Sequence, residues 1–230
     1  KILDLIFQAY NVLDEPFGDA SYYPTYLLSR FAKSKVKVAL GGDGADEVFA
    51  GYPTYIAHRL AAFYLKVPKV LRKHFIEKII KRLPVSMKNF SLDFCLKRFV
   101  RGVEKEPYKR NIAWLGSFDS EEKKRLFKKD VYEKIDIDSC FNGIEEYLEH
   151  CKGQDVITTM QYLDLKTYMQ DDILFKIDRA SMANSLEVRV PFLDHNLVEH
   201  VFSLPVDLRL KLFRTKHMLK HAMKDNLPSE

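Results

Sequence analysis

"VALGGDGADEVFAGY", residues 38–52, carries a short apolar run, three glycines within four positions and three acids within five. Val36 to Leu40, VKVAL, reads as a strand, β-branched at two of five positions and bounded by Gly41-Gly42. A helix is expected to begin near Gly44 or Ala45 and to run to about Ala50, with Gly51 as its stop. Upstream, ILDLIFQAYNVL (2–13) has apolar residues at helical spacing, and DEPFGDASY (14–22) reads as a loop broken by Pro16 and Gly18. Pro24 suits the first turn of the next helix. Helix, strand, glycine loop and helix in this order predict an α/β layer with a parallel strand.

The glycine loop asks for a ligand. Glycine turns after strands bind phosphates because their backbone N–H groups approach closely. Two familiar forms fail here. No Lys-Ser/Thr pair follows Gly44, as a Walker A loop requires, and Glu47 stands where the third glycine of a dinucleotide loop belongs. The acids suggest another route. A bare carboxylate repels phosphate, but Mg²⁺ joins carboxylate, water and phosphate oxygens. Asp43 and Asp46, three apart, are expected to share a face of the first helical turn. The competing reading is that Asp46 and Glu47 merely complement the positive helix end, each worth about 0.3–1 kcal/mol. Three glycines favour the ligand, since helix complementation requires none.

Length and composition set the frame. The 230 residues allow one large domain or two small ones, and 47% hydrophobic residues allow a real core. The longest apolar runs fall far below the roughly 20 residues of a membrane span. Lys1-Ile2-Leu3-Asp4 shows no secretory pattern and no initiator Met, which reads as a fragment boundary or a processed end. Cys95, Cys140 and Cys151 form no metal-ligand spacing, and this sparse, odd count fits a reducing, cytoplasmic setting. Net charge is +5, concentrated in residues 66–110, where 14 Lys/Arg face 4 Asp/Glu. Such a stripe fits either an acidic partner or a solvated helical face. No zinc-finger, RNP or basic-zipper pattern supports nucleic-acid recognition.

From Tyr52 to His150 the sequence predicts basic amphipathic helices broken near Pro68, Pro84, Gly102, Pro107 and Gly116. Asp119 is the expected cap of a helix there. Residues 154–186 read as a helical pair interrupted around Asp171-Asp172, and Asp194 as the N-cap of a helix from His195 to Phe202. A last amphipathic helix is expected from Arg214 to Lys224. Three segments follow: 1–52, 53–150 and 151–230. Within "DDILFKIDRASMANSLEVRVPFLDH" (171–195), Asp178-Arg179 and Glu187-Arg189 are expected as buried pairs, serving either helix packing or a cleft wall. His217 and His221 lie four apart, a metal-compatible spacing without the accompanying Glu of a zincin, and read as an exposed helix face.

"DEPFGDASYYPTYLLSRFAKSKVKVALGGDGADEVFAGY" (14–52) closely resembles the synthetase domain of glutamine-hydrolysing asparagine synthetases. Residues 171–195 look like the second signature of that family, and "FRTKHMLKHAM" (213–223) with "NLPSE" (226–230) resemble the segment that follows. The resemblance implies a partial ATP-pyrophosphatase-type α/β fold (adenine nucleotide alpha hydrolase-like), with a parallel sheet and a large, mostly helical addition. It implies ATP and Mg²⁺ as cofactors, with aspartate and glutamine-derived ammonia as substrates. The aspartate side chain would attack the α-phosphate of ATP, and ammonia would displace AMP from β-aspartyl-AMP. By the same resemblance Asp46 is a Mg²⁺–pyrophosphate ligand and Asp43 an acid beside the acyl-adenylate. Gly41, Gly42 and Gly44 fall at the nucleotide, with Asp178, Arg179, Glu187 and Arg189 at the cleft. A glutaminase domain is the implied partner in the parent protein, and a homodimer is compatible.

Three family features are not found in these residues: the Ser-Gly-Gly-x-Asp-Ser pyrophosphate loop, the glutaminase domain with its terminal Cys, and a Lys-containing stretch beyond the Leu-Pro segment. Gly41 stands where the family usually has Ser. The chain alone is therefore expected to make no asparagine and hydrolyse no glutamine. Two other readings stay open: an amidotransferase acting on a sugar or peptide carboxylate, and a non-catalytic module binding a partner through residues 66–110.

Overall fold

The computed structural model describes residues 2–86, 91–116, 118, 120–135, 141 and 143–227. The chain divides into two compact units: residues 1–51 with 161–230, and residues 52–160. Among the described residues the architecture is α/β, mostly helical, with one two-stranded parallel sheet. No described helix is long and apolar enough to cross a membrane.

In the first unit, strand β1 (Val38–Leu40) pairs in parallel with β2 (Glu187–Arg189), in the register Val38–Glu187, Ala39–Val188, Leu40–Arg189. The ladder is extended at both ends: the Glu187 N–H donates to Lys37 O at 3.1 Å, and the Gly41 N–H to Arg189 O at 2.7 Å. β1 is shorter than the expected 36–40, and β2 follows directly on the stretch 154–186 read as a helical pair, in residues for which no strand was expected. The pair expected around Asp171-Asp172 is instead one continuous helical run: Val156–Asp164, a π-helix Leu165–Leu174, and Phe175–Met182. The wider i→i+5 turn absorbs the irregularity without breaking the run.

Helix Tyr22–Lys33 packs against Phe175–Met182 through Tyr22, Tyr26 and Ala180, with Ala9 completing the cluster. Polar groups fix this contact. The buried Lys176 ammonium donates to Asp19 Oδ2 at 2.7 Å and to Ser21 Oγ at 2.8 Å, and Asn184 Nδ2 donates to Tyr26 O at 3.3 Å. Arg30 and Lys33 in the last turn of Tyr22–Lys33 complement its negative end. The Asp194 side chain accepts from Asn196 N and Leu197 N and caps helix His195–Ser203, as expected. The last helix is shorter than expected, His217–Ala222, because Leu212 and Lys216 take positive φ.

The second unit is helical throughout its described residues. Pro68 and Gly116 flank helices and Pro107 opens Pro107–Leu115, as read from the sequence. Gly102 instead lies inside Leu92–Gly102, and the cap expected at Asp119 is outside the described residues, as is Cys140. Of the other two cysteines, Cys95 is exposed and Cys151 buried. The core joins Ala61, Val103 and Trp114, with Phe99 stacked on Trp114 at 5.7 Å. Several cations of the basic stretch are spent internally. Arg72 pairs with Glu104, and Arg98 donates to the carbonyls of Trp114, Leu115 and Gly116. Those carbonyls end helix Pro107–Leu115, so Arg98 caps orphan acceptors there.

His58 gives this unit a pH signature. It is 3% exposed, 3.3 Å from Asn111 Oδ1 and edge-on to Trp114, and burial holds its pKa down at about 4. A neutral, buried His58 stabilises fully above the ordinary value near 6.5, and that contribution is lost as pH falls from there toward about 4. The loss amounts to about 3 kcal/mol. Urea midpoints of the second unit are expected to fall across this window, and to fall less in His58→Gln; equal slopes for the two proteins would refute the assignment.

Candidate functional site

The glycine turn sits at the carboxyl end of β1, where open α/β sheets present their ligands. Its conformation depends on two left-handed residues. Gly44 has φ +88°, and a Cβ there would lie 2.4 Å from Leu193 Cδ2. The second signature thus packs directly onto the turn of the first. Helix Ala45–Val48 follows, shorter than expected, and Ala50 rather than Gly51 takes the left-handed conformation, at φ +55°. Gly51 is required for a different reason: a Cβ there would lie 1.9 Å from Asp46 Oδ1 and 2.4 Å from Lys216 Cε.

Asp46 is half-buried, and its Oδ1 accepts from Lys216 Nζ at 2.9 Å. Asp43 does not share its helical turn, because it precedes Gly44 and the helix starts at Ala45. Asp43 folds back over the strand end instead, with Oδ2 2.9 Å from where a Gly41 Cβ would stand. The Gly41 N–H is already engaged by Arg189 O, so Gly41 serves the ladder. Gly42 is exposed, and nothing lies within 4 Å of its Cβ position, which leaves its backbone open to a ligand.

The four charged residues of the second signature are not buried pairs. Glu187 and Arg189 pair at 2.7 Å with side chains 54% and 66% exposed, because residues two apart on a strand share a face. Asp178 is exposed, and Arg179 pairs with Asp14 at 2.5 Å while lying over the Phe175 ring. The ladder brings Glu187 and Arg189 beside the glycine turn, whereas Asp178 and Arg179 lie on the helix that packs against Tyr22–Lys33.

The sequence reading missed the residues that hold the site from behind. Lys216 carries no local mark beyond its charge. Gln161, fully buried, donates from Nε2 to Glu47 O at 2.6 Å and to Val48 O at 3.0 Å. Arg209, 1% exposed, donates from Nη1 to Gln161 Oε1 at 2.9 Å. Polar residues in apolar helices at 156–164 and 206–209 are the only trace they leave in the sequence. A second polar group lies around Lys176. Burial works to raise the Asp19 carboxyl, but hydrogen bonds from Lys176 and Ser21 outweigh it and hold Asp19 below its usual range. Burial, then the Asp19 charge, pushes Asp172 up. Burial, then Asp172 and Asp19, pushes the Tyr168 hydroxyl up to about 12.

Among the described residues no three His, Cys, Asp or Glu side chains gather as a metal site. His217 and His221 stack at 6.4 Å, half-buried and exposed respectively, with Lys211, Arg214 and Lys220 nearby in sequence. Asp46 offers a single carboxylate, and Mg²⁺ takes one or two carboxylates and completes its shell with water and phosphate. The Lys216 ammonium already places a positive charge on that carboxylate.

The first unit thus sets a glycine turn, an acid and a cation at the end of a parallel strand in an α/β protein. The asparagine synthase family profile matches residues 1–230, and the chain belongs to that family. It is 35% identical over 217 residues to a putative asparagine synthetase (glutamine-hydrolyzing) of Mycobacterium tuberculosis, covering 94% of this chain and 31% of the relative. It is 32% identical to asparagine synthetase (glutamine-hydrolyzing) 1 of Bacillus subtilis, covering 94% of this chain and 32% of the relative. A Penicillium rubens protein named amidase chyE is 28% identical, over 85% of this chain and 30% of its own length. The chain thus spans about a third of the length of these relatives. No solved structure matches it at a significant level.

Proposed function

We propose that these residues form the adenylating part of a glutamine-dependent asparagine synthetase, on an ATP-pyrophosphatase-type sheet. The observation that carries the reading is the half-buried Asp46 carboxylate, presented at the end of a parallel strand and already paired with a cation. Bound there, Mg²⁺ would neutralise the phosphate charge that develops as pyrophosphate leaves. Asp46 would hold the metal, and Lys216 adds a positive charge beside the same carboxylate. Gly42 lets the backbone approach the nucleotide. Asp43 orients the acceptor and takes a proton as ammonia adds. The aspartate carboxylate oxygen bonds to the α-phosphorus as the bond to pyrophosphate breaks. Ammonia from the glutaminase domain then attacks the acyl carbon, and AMP leaves with the carboxylate oxygen.

That oxygen provides the test. With side-chain ¹⁸O-aspartate, the intact protein carrying these 230 residues is expected to yield AMP with one ¹⁸O per asparagine formed. Unlabelled AMP would refute the adenylate. The relative named amidase chyE makes the acceptor the point to vary, and turnover with a sugar or peptide carboxylate but not aspartate would move this chain away from asparagine synthesis.

A further inference from the structure

We infer that Gln161 and Arg209 are positioning residues for Asp46: a buried amide, held by a guanidinium, completes the short helix that presents the metal-binding carboxylate. The inference rests on the reading of Asp46 given above.

A helix of four residues cannot support itself, because nucleation fixes more dihedrals than its few hydrogen bonds repay. Its carbonyls and those flanking it must find donors elsewhere. Gly44 O accepts from Val48 N at 2.9 Å, Ala45 O from Phe49 N at 3.1 Å, and Asp46 O from Gly51 N at 2.7 Å. Ala50 is left-handed at φ +55°, so the chain leaves the helix axis there. The next two acceptors, Glu47 O and Val48 O, each accept from one side chain, Gln161 Nε2, at 2.6 and 3.0 Å. Gln161 thus does the work of the missing next turn.

An amide offers either its oxygen or its nitrogen to a neighbour. Only the nitrogen suits two carbonyls, and Arg209 selects that orientation by donating to the oxygen from the opposite side at 2.9 Å. Arg209 is itself placed over the Phe202 ring at 5.0 Å. Both side chains are fully buried, so water cannot replace them, whereas Gly42 is exposed and Asp46 half-buried. Their effect on chemistry passes through the helix.

Gln161→Leu keeps the bulk and removes the donors; Arg209→Lys is the milder change, for use if the first variant folds poorly. Two readings on the intact protein test the inference. Without Mg²⁺ or nucleotide, hydrogen exchange at the amides of Val48, Phe49 and Gly51 is expected to accelerate about tenfold, while helix Tyr22–Lys33 keeps its protection. In ATP–pyrophosphate exchange, the Mg²⁺ concentration giving half-maximal rate is expected to rise about tenfold, with the rate at saturating Mg²⁺ reduced far less. Unchanged exchange at residues 48–51 overturns the inference. So does acceleration spread evenly over the first unit with an unshifted Mg²⁺ midpoint, the pattern of a merely structural role. Asp46→Asn separates the two levels. If it shifts the Mg²⁺ midpoint and Gln161→Leu does not, only this inference falls. If Asp46→Asn leaves the midpoint unmoved, the reading of Asp46 falls, and this inference with it.

Discussion

Asp46→Asn is expected to lower the rate of aspartate adenylation about 10³-fold in the intact protein, the scale on which losing a pre-organised electrostatic group acts. The substitution keeps the side chain's shape, and the site around it is tight, with Gly51 leaving just enough room for the carboxylate. What it removes is the negative charge that accepts a hydrogen bond from Lys216 and, in the proposed reaction, would ligate the metal. Stability should move little, since the Asp46–Lys216 side chains are 38% and 28% exposed and such pairs contribute about 1 kcal/mol or less. Adenylation is measured by aspartate-dependent ATP–pyrophosphate exchange, and folding by thermal melting. A variant that melts normally and exchanges within about tenfold of the wild-type rate would remove Asp46 from the mechanism.

Gly44→Ala is expected to destabilise the first unit by about 3–4 kcal/mol. About 1–2 kcal/mol arises from forcing an L-residue to positive φ. A further 1–3 kcal/mol comes from overpacking against Leu193, which sits 2.4 Å from the new methyl position. Leu193 also packs with Val48, Phe49, Met169 and Ile177, so it has little room to retreat. Gly42→Ala is the matched control: its Cβ meets nothing within 4 Å, and its φ is not left-handed. Urea unfolding of the two variants should therefore separate clearly. Equal stabilities would mean that the two signatures are not joined through Leu193 and Gly44.

The strand, the glycine turn, the start of the following helix and the Asp194 cap were legible in the sequence because each is a local event. A β-branched run, a glycine that must adopt positive φ and an Asp before a helical pattern all act within a few residues. β2 was not legible: Glu187-Val188-Arg189 is too short to show a period, and it becomes a strand only because β1 lies beside it. The same pairing exposes Glu187 and Arg189, which an apolar neighbourhood in sequence had suggested were buried. The C-terminal stop was misplaced by one residue because Ala50 accepts the left-handed turn while Gly51 is reserved for the close approach of Asp46 and Lys216. Long-range partners such as Lys216, Gln161 and Arg209 leave no periodic signal; they are defined by what they meet after folding.

The basic stretch shows the opposite error, a pattern with more apparent meaning than the fold gives it. Arg72 and Arg110 are buried, and Arg98 closes a helix end, so part of the positive charge of residues 66–110 is structural. These three arginines therefore belong neither to a solvated face nor to a surface for an acidic partner.

The account stands on one contact, between the Asp46 carboxylate and a divalent ion on the departing pyrophosphate. Crystals of the intact protein with a non-hydrolysable nucleotide and Mn²⁺ in place of Mg²⁺ locate that ion by its anomalous scattering. The expected result is an ion bonded to an Asp46 oxygen at about 2.0–2.2 Å, the range for a small hard cation. An ion bound elsewhere, with Asp46 still held only by Lys216, would contradict it.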